Sequence, residues 1–230
     1  MSINQKLKEL YASHWKELQE NIKTLDVNAY TNPLLLSVDE EKLNSADITV
    51  MIFGQETKGW GKIFPDVEGP MKFYDSFFCQ EQFYGGYGKS SFWKGFRFFQ
   101  KALQNENKSH YFIWNNINKI GKPNGRTGVN PRTRQVERDF FSVIAEEIKI
   151  IKPDIVIFFT GPYRDADIAH HFPNVTFVQT NSGIKTRALA NVKHADLPAS
   201  CVRMYHPTFF GGFNKYRNQA LNEILENYNN

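Results

Sequence analysis

The chain has 230 residues, of which 41% are hydrophobic and 23% charged, and its formal net charge is +4. These values are typical of one globular domain, which we expect to span residues 1–230. The small positive net charge permits a polyanionic partner without requiring one. Two cysteines, Cys79 and Cys201, are too few for a four-thiolate zinc or iron–sulfur site, and no apolar run is long enough to span a bilayer. We therefore expect a soluble cytoplasmic protein without a metal or another cofactor.

The first third of the chain predicts a helix, a buried strand and a long loop. Apolar residues recur every three or four positions over residues 3–23, which indicates an amphipathic helix. Residues 47–53 are apolar and rich in β-branched side chains, as in a buried strand, and Gly54-Gln55-Glu56 follows them. We expect residues 54–90 to be irregular, and loops of this length are usually functional or disordered. Their many aromatic rings argue against disorder, and they either fill the core or stack on a flat ligand.

The middle of the chain predicts a helix over residues 91–103 and a short strand over residues 111–114. Asn115 and Asn116 stand at the end of that strand. Residues 119–134 carry five Lys and Arg residues among Gly, Asn and Pro. This segment is either a solvated basic loop or a loop that contacts phosphates.

The second half alternates helices with strands. Asn130-Pro131 is a favourable helix start, and the helix is expected to continue to about residue 151. Residues 154–160 are apolar on both faces, which suits a central parallel strand. The other expected elements are a short helix ending near residue 171, a strand at 175–178, a polar loop at 180–200, a strand at 201–205 and a helix at 214–227. This order predicts an α/β fold, a three-layer α/β/α sandwich with a central, mainly parallel four-stranded sheet.

Three polar clusters follow predicted strands: Gln55-Glu56, Asn115-Asn116, and His206 with Thr208. The carboxyl ends of parallel strands lie at one edge of a sheet, where ligands bind. Each cluster alone is most simply a solvated loop or a turn. Together they supply a carboxylate to orient water, amides to read a donor and acceptor edge, and a histidine to stabilise an anion.

The same clusters resemble the motifs of the uracil-DNA glycosylase superfamily. Gly54-Gln55-Glu56-Thr57 is similar to its first motif, and Tyr205-His206-Pro207-Thr208 is similar to its second. Trp114-Asn115 resembles the segment whose asparagine reads uracil, and residues 152–161 are similar to the helix–strand unit before the second motif. The resemblance covers residues 47–212, from the first predicted strand to the loop after the last one.

The resemblance implies a metal-independent DNA glycosylase that acts in base-excision repair and flips the target nucleotide out of the duplex. Glu56 would activate water and His206 would stabilise the departing base, as the two catalytic residues. The residues implied in base binding are Gly54, Gln55, Asn115, Asn116, Phe64 and Thr208, with the choice between the two asparagines left open. Phe73 and Phe77 are alternatives to Phe64 as the stacking ring. The residues expected to contact DNA are Lys122, Arg126, Lys185, Phe209 and Phe210, with one of the two phenylalanines as a wedge in the gap.

The chain departs from the family pattern at the residues that set substrate choice. Glu56 replaces an aspartate, Thr57 replaces a proline, and Lys58-Gly59-Trp60 replaces the tyrosine–histidine pair that narrows the pocket. A wider pocket or a different damaged base is therefore left open. The alternatives are a non-catalytic protein that binds nucleic acid or nucleotides, and a hydrolase of free nucleosides. We expect single- or double-stranded DNA as the partner, no membrane, and a monomer.

Overall fold

The computed structural model describes residues 1–80, 87–104, 108–123 and 128–229. Within these ranges six strands form one sheet. The strands are β1 (Ile48–Gly54), β2 (His110–Asn116), β3 (Ile155–Phe158), β4 (Thr176–Val178), β5 (Leu189–Lys193) and β6 (Ser200–Met204). Their spatial order is β2-β1-β3-β6-β5-β4.

The described ranges contain eight α-helices, and none of them is long and apolar enough to cross a membrane. The helices are α1 (Ile3–Ile22), α2 (Glu40–Ser45), α3 (Glu68–Tyr74), α4 (Ser91–Leu103), α5 (Pro131–Phe140), α6 (Ile144–Ile151), α7 (Asp165–His171) and α8 (Phe210–Asn229).

The sheet is mixed, and it has six strands where four were predicted. β1 pairs in parallel with β2 and β3, and β3 pairs in parallel with β6. β5 and β4 then add to β6 as antiparallel strands. The prediction of a polar loop over residues 180–200 is therefore wrong in part, because β5 lies within it. Its sequence, Leu-Ala-Asn-Val-Lys, contains Ala and Asn, two residues with low strand propensity.

Helices cover both faces of the parallel part of the sheet, an arrangement compatible with three layers. Tyr11 on α1 and Glu147 on α6 bond to each other on the face to which Asn115 points. Trp93 on α4 packs against Trp114, whose side chain points to the other face. Successive side chains of a strand alternate between the two faces, so Asn116 lies on the same face as Trp114.

Two predicted segments contain features that their sequence patterns did not indicate. The expected irregular stretch after β1 includes α3 and a π-helical turn, Asp75–Cys79. The expected single helix from residue 131 to 151 is interrupted, because Phe141 leaves the helical conformation and separates α5 from α6. The Phe141 ring is fully buried and packs against Tyr11 and Trp15 on α1.

Candidate active site

Side chains that follow β1, β2 and β6 line one cavity of about 500 Å³, which we call the site cavity. Its polar side chains include Glu56, Asn116 and His206, one from each of the three clusters that the sequence predicted at this sheet edge. Half of the remaining lining residues are aromatic: Trp60, Phe73, Phe77, Phe92, Trp93 and Trp114. An apolar cavity with a few convergent polar groups is the usual form of a small-molecule site.

Backbone hydrogen bonds fix the loop that carries Glu56. The β1–β2 pairing continues beyond the strand ends, because Ile117 and Asn118 donate their N–H groups to the carbonyls of Gly54 and Gln55 at 3.0 and 2.9 Å. Further along, Gly59 donates to the Lys122 carbonyl at 3.0 Å. Glu56 therefore sits on a segment whose position is set by the sheet.

The Glu56 carboxylate is held from two sides. One oxygen accepts the Gly128 N–H at 2.6 Å, and the other accepts Arg164 Nη2 at 2.7 Å. The Glu56 side chain is only 7% exposed, and Asp167 lies 3.8 Å from the Arg164 guanidinium on its other side. These contacts hold the carboxylate in one position.

Sequence reasoning missed Arg164. The residue follows β3 in the turn Pro162–Arg164, at the same sheet edge as the three predicted clusters. The rule that located those clusters would also have located Arg164.

His206 presents a neutral imidazole to the site cavity. The Thr208 N–H donates to its Nδ1 at 3.2 Å, and the Thr208 hydroxyl lies 2.7 Å from the same atom. A nitrogen that accepts a backbone N–H carries no proton, so the ring hydrogen is on Nε2. Burial, and then the positive charge of Arg164, lower the pKa of His206 from 6.5 to about 4. The ring also stacks on Phe92, with centroids 6.1 Å apart.

Asn116, and not Asn115, faces the site cavity. Trp114 Nε1 donates to Asn116 Oδ1 at 3.3 Å, and because an indole can only donate, this contact assigns the oxygen and leaves Nδ2 on the other side. Nδ2 is buried and has no hydrogen-bond partner among the residues that the structure describes. A buried amide donor without a partner points to a missing ligand or water.

The interpretation of Asn115 as a base-reading residue is wrong for this geometry. Its side chain is fully buried on the opposite face of the sheet, donates to Glu147 at 2.8 Å and accepts from Lys119 at 2.9 Å. Glu147 also pairs with Lys119 at 2.7 Å and accepts the Tyr11 hydroxyl at 2.6 Å. We call these four residues, Tyr11, Asn115, Lys119 and Glu147, the buried network.

Gly54 and Gln55 contribute backbone rather than side chains to the site cavity. A side chain at position 54 would overlap Asn116 Oδ1 and press on the Phe92 ring, so only glycine leaves the Asn116 amide in place. The Gln55 side chain is occupied elsewhere, because its Nε2 donates to the Thr160 carbonyl at 2.7 Å.

Phe64 does not line the site cavity, so its assignment as the stacking ring is corrected. Its ring packs over Gly69, and its carbonyl accepts from Gln19 at 2.9 Å. The two alternatives, Phe73 and Phe77, both line the cavity and pack around Trp60. Trp60 Nε1 is a second buried donor in this wall without a partner in the described part of the chain.

The residues expected to contact DNA lie around the same sheet edge where they are described. Lys122 is half-buried beside the Glu56 loop, and Lys185 is exposed on the loop before β5. Phe209 and Phe210 are exposed at the start of α8, directly after His206 and Thr208. Arg126 lies outside the described residues.

Two further observations bear on identity. Among the described residues, no group of three or more His, Cys, Asp or Glu side chains could hold a metal ion. No protein-family model matches the chain, and comparison with curated proteins gives no match. The resemblance to the uracil-DNA glycosylase superfamily accordingly stays a hypothesis that depends on the motifs and the site geometry.

Proposed function

We propose that this chain is a DNA glycosylase that hydrolyses the N-glycosidic bond of uracil or a related damaged base, flipped out of the DNA, without a metal. The observation that carries the proposal is that the Glu56 carboxylate and the His206 imidazole line one aromatic cavity. Asn116 supports it, because its unpartnered Nδ2 can donate to a carbonyl oxygen of the base.

The proposed chemistry divides the developing charges between these groups. As the C–N bond breaks, the sugar becomes cationic and the base becomes anionic. Glu56 stabilises the cation and orients the water whose oxygen adds to the sugar, while the proton of that water is released. The His206 Nε2–H donates to the anionic base, and the low pKa of this imidazole keeps it a neutral donor at pH 7. The departing base then takes up a proton.

Arg164 has a supporting role in this scheme. Its guanidinium donates to the Glu56 carboxylate at 2.7 Å and fixes the position of that group. The same positive charge disfavours protonation of His206. One arginine therefore helps to position the carboxylate and to keep the imidazole neutral.

A non-catalytic protein that binds nucleic acid or nucleotides is the second candidate, and one observation favours it. Both oxygens of Glu56 already accept strong donors, Gly128 and Arg164, which reduces the capacity of the carboxylate to take a proton from water. In that case the site cavity would bind a base without cleaving its N-glycosidic bond.

Base release from defined oligonucleotides tests the proposal. Single- and double-stranded oligonucleotides containing uracil, hypoxanthine or xanthine are incubated with the protein and scored for abasic sites. Glu56→Gln should lower the release rate at least about 100-fold, as expected for loss of a catalytic carboxylate, and should change DNA affinity about twofold or less. Glu146→Gln, which removes the same charge at an exposed position on α6, is the matched control.

The outcomes separate the two candidates. Release of none of these bases by the unmodified protein would refute the glycosylase proposal in this form. Binding of the same oligonucleotides without release would favour the non-catalytic candidate. DNA as the partner is part of the proposal, and the cytoplasmic location and the monomeric state stay predictions.

A further inference from the structure

The turn after β3 carries two neighbouring side chains that point in opposite directions. Arg164 points inward and holds Glu56. Tyr163, one residue earlier, points outward and is 80% exposed. The turn also adjoins the second catalytic candidate, because a Cβ on Gly161 would lie 3.9 Å from the His206 backbone nitrogen.

Arg187 lies against the exposed tyrosine. Its Nη2 donates to the Tyr163 hydroxyl at 2.8 Å, and its guanidinium carbon lies 5.2 Å from the centre of the ring. Arg187 is itself exposed, on the loop before β5. We call this pair the Tyr163–Arg187 ledge.

One buried side chain contacts both of the loops that form the ledge. Arg203 on β6 is 1% exposed, pairs with Asp165 at 2.9 Å and donates to the Arg187 carbonyl at 3.0 Å. It therefore ties together the two loops that carry Tyr163 and Arg187. A ring that is exposed and already fixed loses little conformational entropy when a ligand stacks on it.

The surroundings of the ledge suit a nucleic-acid strand. β3 and β6 are neighbours in the sheet, so the ledge lies at the same edge as the exposed Phe209 and Phe210 after β6. Lys185, two residues before Arg187, is exposed on the same loop. Flat rings beside cations bind single strands, because bases stack on the rings and phosphates approach the cations.

We infer that the Tyr163–Arg187 ledge binds an unpaired nucleotide of the same strand whose flipped base enters the site cavity. This inference rests on the proposed function for its substrate, and it adds that the preferred substrate is unpaired beside the target base. In an intact duplex the neighbouring bases are stacked on each other, so none of them presents a free face on which the Tyr163 ring could stack.

Strand binding without any damaged base isolates the ledge from the chemistry. Fluorescence anisotropy of a dye-labelled oligothymidylate measures affinity for a single strand, and a duplex of ordinary sequence serves for comparison. Tyr163→Ala should weaken single-strand binding about tenfold, and Tyr163→Trp should retain it. Arg187→Gln should also weaken binding and reduce its dependence on salt.

A matched control exists at the opposite edge of the sheet. The Lys108 ammonium lies 5.2 Å from the Tyr228 ring centre, just before the start of β2. Tyr228→Ala removes a tyrosine from a comparable cation–ring pair and should leave strand affinity within about twofold. Thermal unfolding of each variant checks that a loss of binding does not reflect a loss of folding.

Each outcome decides the inference separately from the proposed function. Unchanged single-strand affinity in Tyr163→Ala would overturn it, even if the protein releases uracil. An equal loss for duplex and single strand would also overturn it, because the contact would then need no unpaired base. A selective single-strand loss supports it, even if no base is ever released.

Discussion

Two polar clusters lie on opposite faces of the sheet at the end of β2, and they differ in whether their hydrogen bonds are complete. In the buried network, Asn115 has partners on both ends of its amide, and all of them belong to the chain. In the site cavity, the neighbouring Asn116 has a partner among the described residues for its oxygen only. Completed buried groups hold a structure together, whereas an incomplete one can bind a ligand or a water molecule. The difference distinguishes a structural asparagine from one that can bind a ligand, although the two are adjacent in sequence.

The largest expected effect comes from breaking the ion pair of the buried network. Lys119→Met should lower the free energy of unfolding by about 3–5 kcal/mol, because it leaves the Glu147 carboxylate buried without a counter-charge. Denaturation by urea measures the change. The double variant Lys119→Met/Glu147→Leu should recover most of it, since no unpaired charge remains. A loss below about 1 kcal/mol in the single variant would show that the network contributes little to stability.

The next largest effects are expected from substituting the two asparagines, which compares the two clusters most directly. Asn115→Ala should cost about 2–3 kcal/mol of unfolding free energy, because it removes one hydrogen bond from each of two buried charged groups, Lys119 and Glu147. Asn116→Ala should cost about 1 kcal/mol or less, since it removes one long hydrogen bond, and it should weaken binding of the target base about tenfold. Denaturation and oligonucleotide binding are measured on both variants. Equal stability losses would remove the distinction between the clusters.

The smallest expected effect is electrostatic and concerns His206. Removing the charge of Arg164 with Arg164→Gln should raise the pKa of His206 from about 4 only part of the way towards 6.5, because burial is the larger cause of the shift. NMR titration of the imidazole measures it, with Arg132→Gln, at an exposed arginine, as the control. A pKa near 6.5 in the unmodified chain would contradict the burial of this ring.

The sign of the His206 contribution to stability follows from the same shift. The unfolded chain binds a proton at pH values near 6.5, while the folded chain does so only near 4. The contribution is therefore fully present above pH 6.5 and is lost as the pH falls towards 4. Arg164→Gln should narrow the pH range over which it is lost.

Local patterns predicted the elements and the sheet edge, but they did not predict partners distant in sequence. The apolar run before Gly54 located β1, and the rule that parallel strands end together placed Glu56 near His206. The choice between Asn115 and Asn116 depends on Glu147, which is 32 positions from Asn115 and fixes which amide turns inward. Alternation along β2 alone is compatible with either asparagine facing the cavity.

The burial of Glu137 could not be predicted from local patterns either, because its hydrogen-bond partners lie elsewhere in the sequence. The spacing of Val136 and Phe140 predicts a buried apolar helix face, but both side chains are only half-buried, and Glu137 is buried instead. Its carboxylate accepts the backbone N–H groups of Lys119 and Ile120 at 2.6 and 2.9 Å. Periodicity counts apolar residues, and a carboxylate buried by backbone donors does not contribute to that count.

The register between β1 and β2 has a consequence for folding. Gly54 pairs with Asn116 in that register, and glycine is the residue that leaves room for the Asn116 amide. A slip of β2 by one residue would turn every side chain of the strand to the other face, and Asn115 would turn away from Glu147. Lys119 and Glu147 would then lose their hydrogen bonds to Asn115 inside the protein, so the slipped chain would be unstable. It would also be unable to present the Asn116 Nδ2 group to the site cavity. The register that presents the Asn116 amide to the site cavity is thus also the register that completes the buried network.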